Sequence, residues 1–467
     1  LKIKKIVVVL ISTLMLITLT GYILLKDTLN TATGFSAKNI CSGYFISGFS
    51  AKMVLEEALI PVDNSFSYVD FKINEQQKYV TTKILGAFER KAVYEKGVGC
   101  TLLAVGQNEL KRSVVPLERI LQTADVPWPD GLGQPISNIA TIDYQSLNNT
   151  IESFYEKNAE NSVIRTKAIV VIYKGQLIAE AYANGINLET PLLSWSMAKS
   201  ITNMQVGLLV KDKKLFLNSA PDIPLWKMLS VKHQQITLDQ LMRMSSGLEF
   251  SEVYGMGSDA AVMLSVEPSA SDFATNKPLT FEPDTHWSYS SGTSNIIAGI
   301  VKKAIGGDFQ HYYEFAQRRL FHPLNIHTAQ LETDANGTFV GSSYMYASAR
   351  DWAKLGQLFL QNGRWKQQQL LPEEWVKYST TPTKTDPLNH YGAQFWLNKN
   401  PADPSKTRVW PSIPTDAYYM SGFQGQNVVI VPSKDLVVVK MGFKNPSIKS
   451  GIESLVAGVI KALDKRN

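Results

Sequence analysis

The sequence is poor in the residues that hold metals and in the patterns that bind nucleic acid. It has two cysteines and six histidines in 467 residues, no Cys-x-x-Cys, and no His-Glu-x-x-His. A metal site therefore has no support, and no metal or organic cofactor is expected. Lys and Arg (47) outnumber Asp and Glu (41), but the excess is spread along the chain without a basic block or aromatic–basic interleaving. Nucleic acid is thus excluded as a natural partner. No Gly-x-Ser-x-Gly elbow is present, which disfavours an α/β-hydrolase triad, and no internal repeat or low-complexity tract is evident. What remains is ordinary globular composition, 44% hydrophobic and 19% charged, with room for one large domain or two smaller ones.

The N-terminus carries the one long apolar run. Lys2, Lys4 and Lys5 precede an uncharged stretch over 6–25 that Lys26 closes. As a helix this run rises about 30 Å, enough to cross a bilayer core. The leading lysines favour a cytoplasmic N-terminus, with the rest of the chain outside, on the periplasmic side. Gly21-Tyr22-Ile23-Leu24-Leu25 is poor material for signal cleavage, so an uncleaved anchor is favoured, with secretion after cleavage as the alternative. Cys41 and Cys100 then both lie in an oxidising compartment, where a disulfide is permitted, the other reading being two buried thiols.

Composition divides the chain into 1–26 (anchor or signal), 27–125 and 126–467. In the middle part, Lys52 to Leu59 reads as a short helix, and Tyr79 to Leu85 and Lys91 to Tyr94 as strands. This part is too small for a confident domain of its own and reads as a layer packed on the main body. The Pro- and Gly-rich stretch 125–133 reads as the link. In the main body, Asp143 to Asn158 has helical spacing, and Lys167 to Tyr173 and Gln176 to Tyr182 form a hairpin around Lys174-Gly175. Helices follow at Thr237 to Met244, Asn295 to Ala304 and from Ser348 through Phe359. A second hairpin, Asn427 to Val431 and Leu436 to Met441, precedes a closing helix over Gly451 to Leu463. Strands gather at both ends and helices fill the middle. The expected fold is α/β of the α+β kind: an antiparallel sheet flanked by terminal helices, with an inserted helical subdomain.

Three segments carry chemistry. In Trp195-Ser-Met-Ala-Lys-Ser200, Ser196 and Lys199 are three apart and share one helix face, with Ile201, Met204, Val206, Leu208 and Leu209 as the buried side of that helix. A serine hydroxyl needs a base, and a lysine in a dry pocket can serve, because desolvation disfavours its ammonium. In Trp287-Ser-Tyr-Ser-Ser-Gly292, Tyr289 is a candidate proton relay with some phenolate character beside a cationic lysine. In Met420-Ser-Gly-Phe-Gln-Gly-Gln426, glycines let an edge strand pass close to substrate, and the backbone N–H groups of Gln426 and Ser196 are candidate oxyanion donors.

Together and in this order, the three segments resemble the signature elements of the serine β-lactamase and penicillin-binding-protein superfamily. Ile236 to Leu248, Leu320 to Leu324 and Tyr346 to Gly356 are similar to its class C branch and esterase relatives. The Ser196 and Tyr289 segments look most like the 6-aminohexanoate-dimer (nylon oligomer) hydrolases within it. The Cys41 segment resembles the N-terminal extension of exported members. The resemblance implies a β-lactamase/transpeptidase-like fold and a serine hydrolase. Ser196 would be the acylated nucleophile, Lys199 its base and Tyr289 the proton carrier, acting on a small ester, amide or short peptide. Two departures stand out. Ser291 occupies the place of the class C Asn, and Phe423-Gln424-Gly425 replaces Lys-Thr-Gly, whose Lys and Thr help hold a β-lactam or peptidoglycan carboxylate. Phe423, Trp195, Trp287, Tyr344 and Trp396 are further cleft candidates that suggest a more apolar substrate, while His286 reads as a loop residue. The alternatives are a β-lactamase or cell-wall DD-peptidase, and a non-catalytic binding protein that kept the fold.

Overall fold

The computed structural model describes residues 2–84, 86–110, 112–118, 122–156, 164–255, 257–445, 449 and 451–464, without the side chains of 2–12, 14, 16–25, 156 and 164. The chain opens with one helix, α1 (Lys2–Phe45), which runs without a break past the expected boundary at residue 26. Among the described residues no helix is long and apolar enough to cross a membrane. The run 6–25, read above as an anchor, lies outside the residues with described side chains, apart from Thr13 and Met15. Residues 31–43 of α1 are buried on every side. One flank is covered by a four-stranded antiparallel sheet in sequential order: β1 (Val69–Asn74), β2 (Tyr79–Ile84), β3 (Ala87–Glu95) and β4 (Gly99–Leu102). The helix expected over 52–59 is present, as an α-turn Ala51–Met53 that runs into a π-helical turn, Val54–Leu59.

A helix buried all round must satisfy its polar side chains internally. Lys38 pairs with Glu332, a residue of the main body, and also lies 4.1 Å over the Tyr344 ring. Glu332 accepts as well from the Ser42 hydroxyl at 2.7 Å and the Cys100 N–H at 2.6 Å. Desolvation pulls the Lys38 ammonium down and pushes the Glu332 carboxyl up, and their mutual attraction opposes both shifts. Beside this pair Cys41 and Cys100 form a disulfide, so the two cysteines are not free thiols.

The main body is built on a six-stranded antiparallel sheet, after a helix α2 (Tyr144–Glu156). The strands are β5 (Ile164–Tyr173), β6 (Gln176–Tyr182), β7 (Trp396–Leu397), β8 (Tyr418–Gly422), β9 (Gln426–Val431) and β10 (Leu436–Lys444), in the order β7-β8-β9-β10-β5-β6. The strands from the two ends of the body meet at β5 and β10, where Val170 faces Val439 and Ile172 faces Val437. Leu436 to Phe443 is buried throughout, because both faces of the sheet are covered. On one face Leu147 and Ile151 of α2 pack with Leu455, Val456 and Val459 of the closing helix, Ile452–Leu463. On the other lies the helix Ala349–Leu360, which comes so close at Gly356 that a Cβ there would meet Val437 Cγ1 at 2.6 Å. The antiparallel sheet between terminal helices, with helices inserted between its strands, is the architecture expected from the sequence.

The disulfide closes a loop of 59 residues. By chain entropy alone such a link stabilises a fold by about 4 kcal/mol. Cys41→Ser is therefore expected to lower the unfolding free energy by roughly that amount in urea titrations under oxidising conditions. Equal midpoints for the variant and the oxidised parent would show that the link adds nothing.

Candidate active site

The strand pair and the helical insert converge on Ser196. Trp195–Met197 is a single 3-10 turn that feeds the helix Ala198–Lys211. Ser196 thus precedes the helix proper, and Lys199 sits in its first turn. Apolar spacing suggested one buried side for this helix, but Ala198 through Leu209 are all buried. It runs through the interior and carries Lys199 with it.

Lys199 is 1% exposed. Its Nζ lies 3.0 Å from Ser196 Oγ, 3.0 Å from Ser291 Oγ and 3.2 Å from the Ser342 carbonyl oxygen. Burial brings its pKa down to about 8, against the opposing pull of the Glu252 carboxylate. A lysine in that state is a competent base for a neighbouring hydroxyl.

Ser291 lies there because Ser290 caps the helix Ser291–Ile305, accepting from the Thr293 N–H. The helix expected from Asn295 thus begins four residues earlier, and Tyr289-Ser290-Ser291 is its entry. The Ser291 N–H and hydroxyl both donate to Glu252, each at 2.6 Å. Tyr289 is half-buried, with its ring 4.8 Å from Lys199 Nζ. Burial holds its phenol well above the ordinary range, reinforced by Tyr391, Glu252 and Tyr254, while the Ser196 hydroxyl acts the other way. Burial and the neighbouring acidic groups thus act against the phenolate character anticipated from a neighbouring cation.

Glu252 and Tyr254 were not legible in the sequence as site residues. The Tyr254 hydroxyl is buried and unpartnered, yet close enough to Ser196, Ser291 and Glu252 for each to bear on its ionisation. Its ring stacks on Phe423 at 4.9 Å. The remaining candidates divide into two groups. Trp287 and Trp396 join Tyr289, Tyr391 and His390 in one aromatic wall, with Tyr289 and Trp396 at 5.1 Å. Trp195, Tyr344 and Gln424, each 2% exposed, are buried behind Ser196. Phe423 bridges outward from this group, and Gly425 has the left-handed φ of +89° that the turn after β8 requires. His286 is exposed and stacks on Phe281 in a loop.

Gln426 opens β9, paired with Gly422. Its carboxamide accepts from the Gly442 N–H and donates to the Gly442 carbonyl, where β10 is bulged against β5. The part of this turn that presses on the Ser196 segment is Gly422, where a Cβ would meet the Ser194 carbonyl oxygen at 2.1 Å.

The family model described as β-lactamase matches residues 151–456, a span that holds Ser196, Lys199, Tyr289 and both turns. The chain belongs to the β-lactamase family. At that level it is a hydrolase of the serine β-lactamase type. A 6-aminohexanoate-dimer hydrolase from Paenarthrobacter ureafaciens is 21% identical over 319 residues, covering 64% of this chain and 79% of the relative. A solved structure from Bacillus anthracis, assigned as a 6-aminohexanoate-dimer hydrolase, superposes with a TM-score of 0.53 at 20% identity, covering 75% of this chain and 87% of that one. A class C β-lactamase mutant superposes with a TM-score of 0.51 at 14% identity, over 70% and 100% of the two chains. At these identities the structural likenesses establish the fold.

A lysine can take a proton from a neighbouring serine only when it is itself neutral. Labelling of Ser196 by a fluorophosphonate is therefore expected to rise with pH through a midpoint near the Lys199 value of about 8. Glu252 favours the charged lysine, so Glu252→Gln should move that midpoint to lower pH. A midpoint that stays put, or moves up, would show that Glu252 is not coupled to Lys199.

Proposed function

We propose that the protein hydrolyses an ester or amide through an acyl-Ser196 intermediate. The observation that carries this reading is the contact at 3.0 Å between Ser196 Oγ and a dry Lys199 Nζ whose pKa is brought down to about 8. Ser196 Oγ attacks the substrate carbonyl carbon as its proton passes to Lys199. The tetrahedral oxyanion is held by the Ser196 N–H and a second N–H from the turn Gly422–Gln426, for which the Gln426 N–H is the candidate named from the sequence. The neutral Tyr289 phenol gives its proton to the leaving alcohol or amine and recovers one from the Lys199 ammonium. Water then attacks the acyl-enzyme, with the same groups taking and returning its proton, and Ser196 is regenerated.

Substrate preference follows from what faces the nucleophile. The wall of Trp287, Tyr391 and Trp396 suits an apolar acyl or leaving group. The Lys and Thr that would help hold a β-lactam carboxylate are replaced by Phe423 and Gln424, and the Glu252 carboxylate stands beside Ser291. Like charges disfavour an anionic substrate there. Together with the similarity to 6-aminohexanoate-dimer hydrolases, this favours short amides or esters, ω-amino acid oligomers among them, over β-lactams and D-amino acid peptides. The Cys41–Cys100 disulfide and the family fit an extracytoplasmic protein. Residues 6–25 would tether it to the cytoplasmic membrane.

Ser196→Ala is expected to abolish hydrolysis of p-nitrophenyl acetate, and near-parental turnover would sink the assignment. Tyr289→Phe should lower kcat by about a hundredfold or more while the folded spectrum is kept. An unchanged rate would reduce Tyr289 to packing. Covalent capture of a fluorescent penicillin on Ser196 would instead favour the β-lactamase or peptidase alternative. Cell fractionation tests the tether: the chain should pellet with membranes in high salt and become soluble when residues 6–25 are deleted.

A further inference from the structure

Two residues beside Ser196 hold left-handed backbone although neither is glycine. Trp195 has φ +47°, and Gln424, in the turn between β8 and β9, has φ +60° and ψ +16°. Such conformations persist only where the surroundings over-determine them, and they are informative when they flank reacting groups. The peptide plane that carries the Ser196 N–H is oriented by the dihedrals of Trp195. In the facing turn, Gln424 orients the plane that carries the Gly425 N–H, one peptide before the plane that carries the Gln426 N–H.

One side chain joins the two turns. The Trp195 indole Nε1–H donates to Gln424 Oε1 at 3.2 Å, and Gln424 Nε2 donates to the Ala58 carbonyl oxygen at 2.8 Å. Ala58 belongs to the π-helical turn Val54–Leu59, in the N-terminal layer rather than the main body. That turn is in turn tied to β5 by Glu57, which pairs with Lys167 at 2.8 Å. The Trp195 ring is clamped from the same layer, with Phe35 of α1 stacked on it at 5.7 Å and 12° between planes. Phe423 meets it edge-on at 5.6 Å.

We propose that Gln424 is a positioning residue for hydrolysis at Ser196, and that the N-terminal layer, through Ala58 and Phe35, sets the geometry of the oxyanion donors. Its carboxamide touches no reacting atom. It acts by holding the nucleophile turn and the β8–β9 turn at one separation and one pair of peptide orientations. The N-terminal layer is then part of the catalytic apparatus and not only a cover. This rests on the acyl-Ser196 reading above.

The test uses the full chain with Gln424→Met, which keeps length and removes both hydrogen bonds, Trp195→Phe, which keeps the stacking ring and removes the indole N–H, and the double variant. With p-nitrophenyl acetate, each single change is expected to lower kcat about tenfold or more while KM stays within about twofold, because donor geometry matters most in the transition state. The pH midpoint set by Lys199 should not move. Because both changes break one link, the double variant should be no slower than the slower single variant. A Gln424→Met kcat within about twofold of the parent, or losses that multiply in the double variant, would overturn the proposal. Should Gln424→Met fail to fold, Trp195→Phe decides alone, and an unchanged kcat there refutes it. Ser196→Ala separates the two levels: residual turnover in that variant condemns the nucleophile assignment, whereas an inactive Ser196→Ala beside a fully active Gln424→Met condemns only the positioning role.

Discussion

A lysine amine held out of water at 3.0 Å from a serine hydroxyl is the constraint around which the site is arranged. Taking an ammonium out of water is expensive, and the buried lysines of the structure have different partners. Lys38 is paired with Glu332 and Lys354 with Asp351 at 3.2 Å, so each is matched by a carboxylate in direct contact. Lys199 instead contacts two hydroxyls and a carbonyl, and its carboxylate, Glu252, is one residue removed behind Ser291. With no carboxylate in direct contact, only the more distant Glu252 opposes the desolvation that brings the Lys199 pKa down to about 8.

Keeping Lys199 dry requires mass on every side, and this explains much of the fold. The helix that carries it is buried all round, which places the nucleophile at the junction of the sheet, the helical insert and the N-terminal layer. The layer earns its position by the same logic: residues 31–43 of α1 close the back of the site behind Trp195 and Tyr344. Its ion pair, disulfide and hydrogen bond to Gln424 all cross from the N-terminal part to the body or bind the layer to itself. The site and its covering are therefore one packed unit.

Much of the architecture could be read from local pattern. Valine-rich strands, hairpin turns and amphipathic terminal helices announced an antiparallel sheet between helices, and the Ser196–Lys199 spacing announced one shared face. Where the reading fell short, the cause was tertiary. The helix after Tyr289 starts at Ser291 because Ser290 caps it, and its first turn, Ser-Gly-Thr-Ser, has no apolar period to reveal it. The helix of Lys199 has polar residues such as Asn203 and Gln205 that suggest an outer face, yet these are buried. Asn203 is satisfied by the Ser379 hydroxyl, the Ala393 carbonyl and the Trp375 indole. The phenolate character expected of Tyr289 took account of the nearby cation, whereas its burial, which acts the other way, is set by tertiary packing.

By itself the sequence determined which residues could do the chemistry, because a serine, a lysine three residues on and a Tyr-Ser-Ser-Gly segment are short-range patterns. It also marked the turn Gly422–Gln426 as an oxyanion candidate, through glycines that let a strand pass close to a substrate. Tertiary structure alone decided how strong a base Lys199 is, since its pKa depends on burial and on a carboxylate from a different segment. It alone brought Glu252 and Tyr254 to Ser291, and it alone joined Gln424 to Ala58 across 366 positions of chain. No periodicity or spacing spans such a distance. Only the packing of the N-terminal layer against the body makes those residues neighbours.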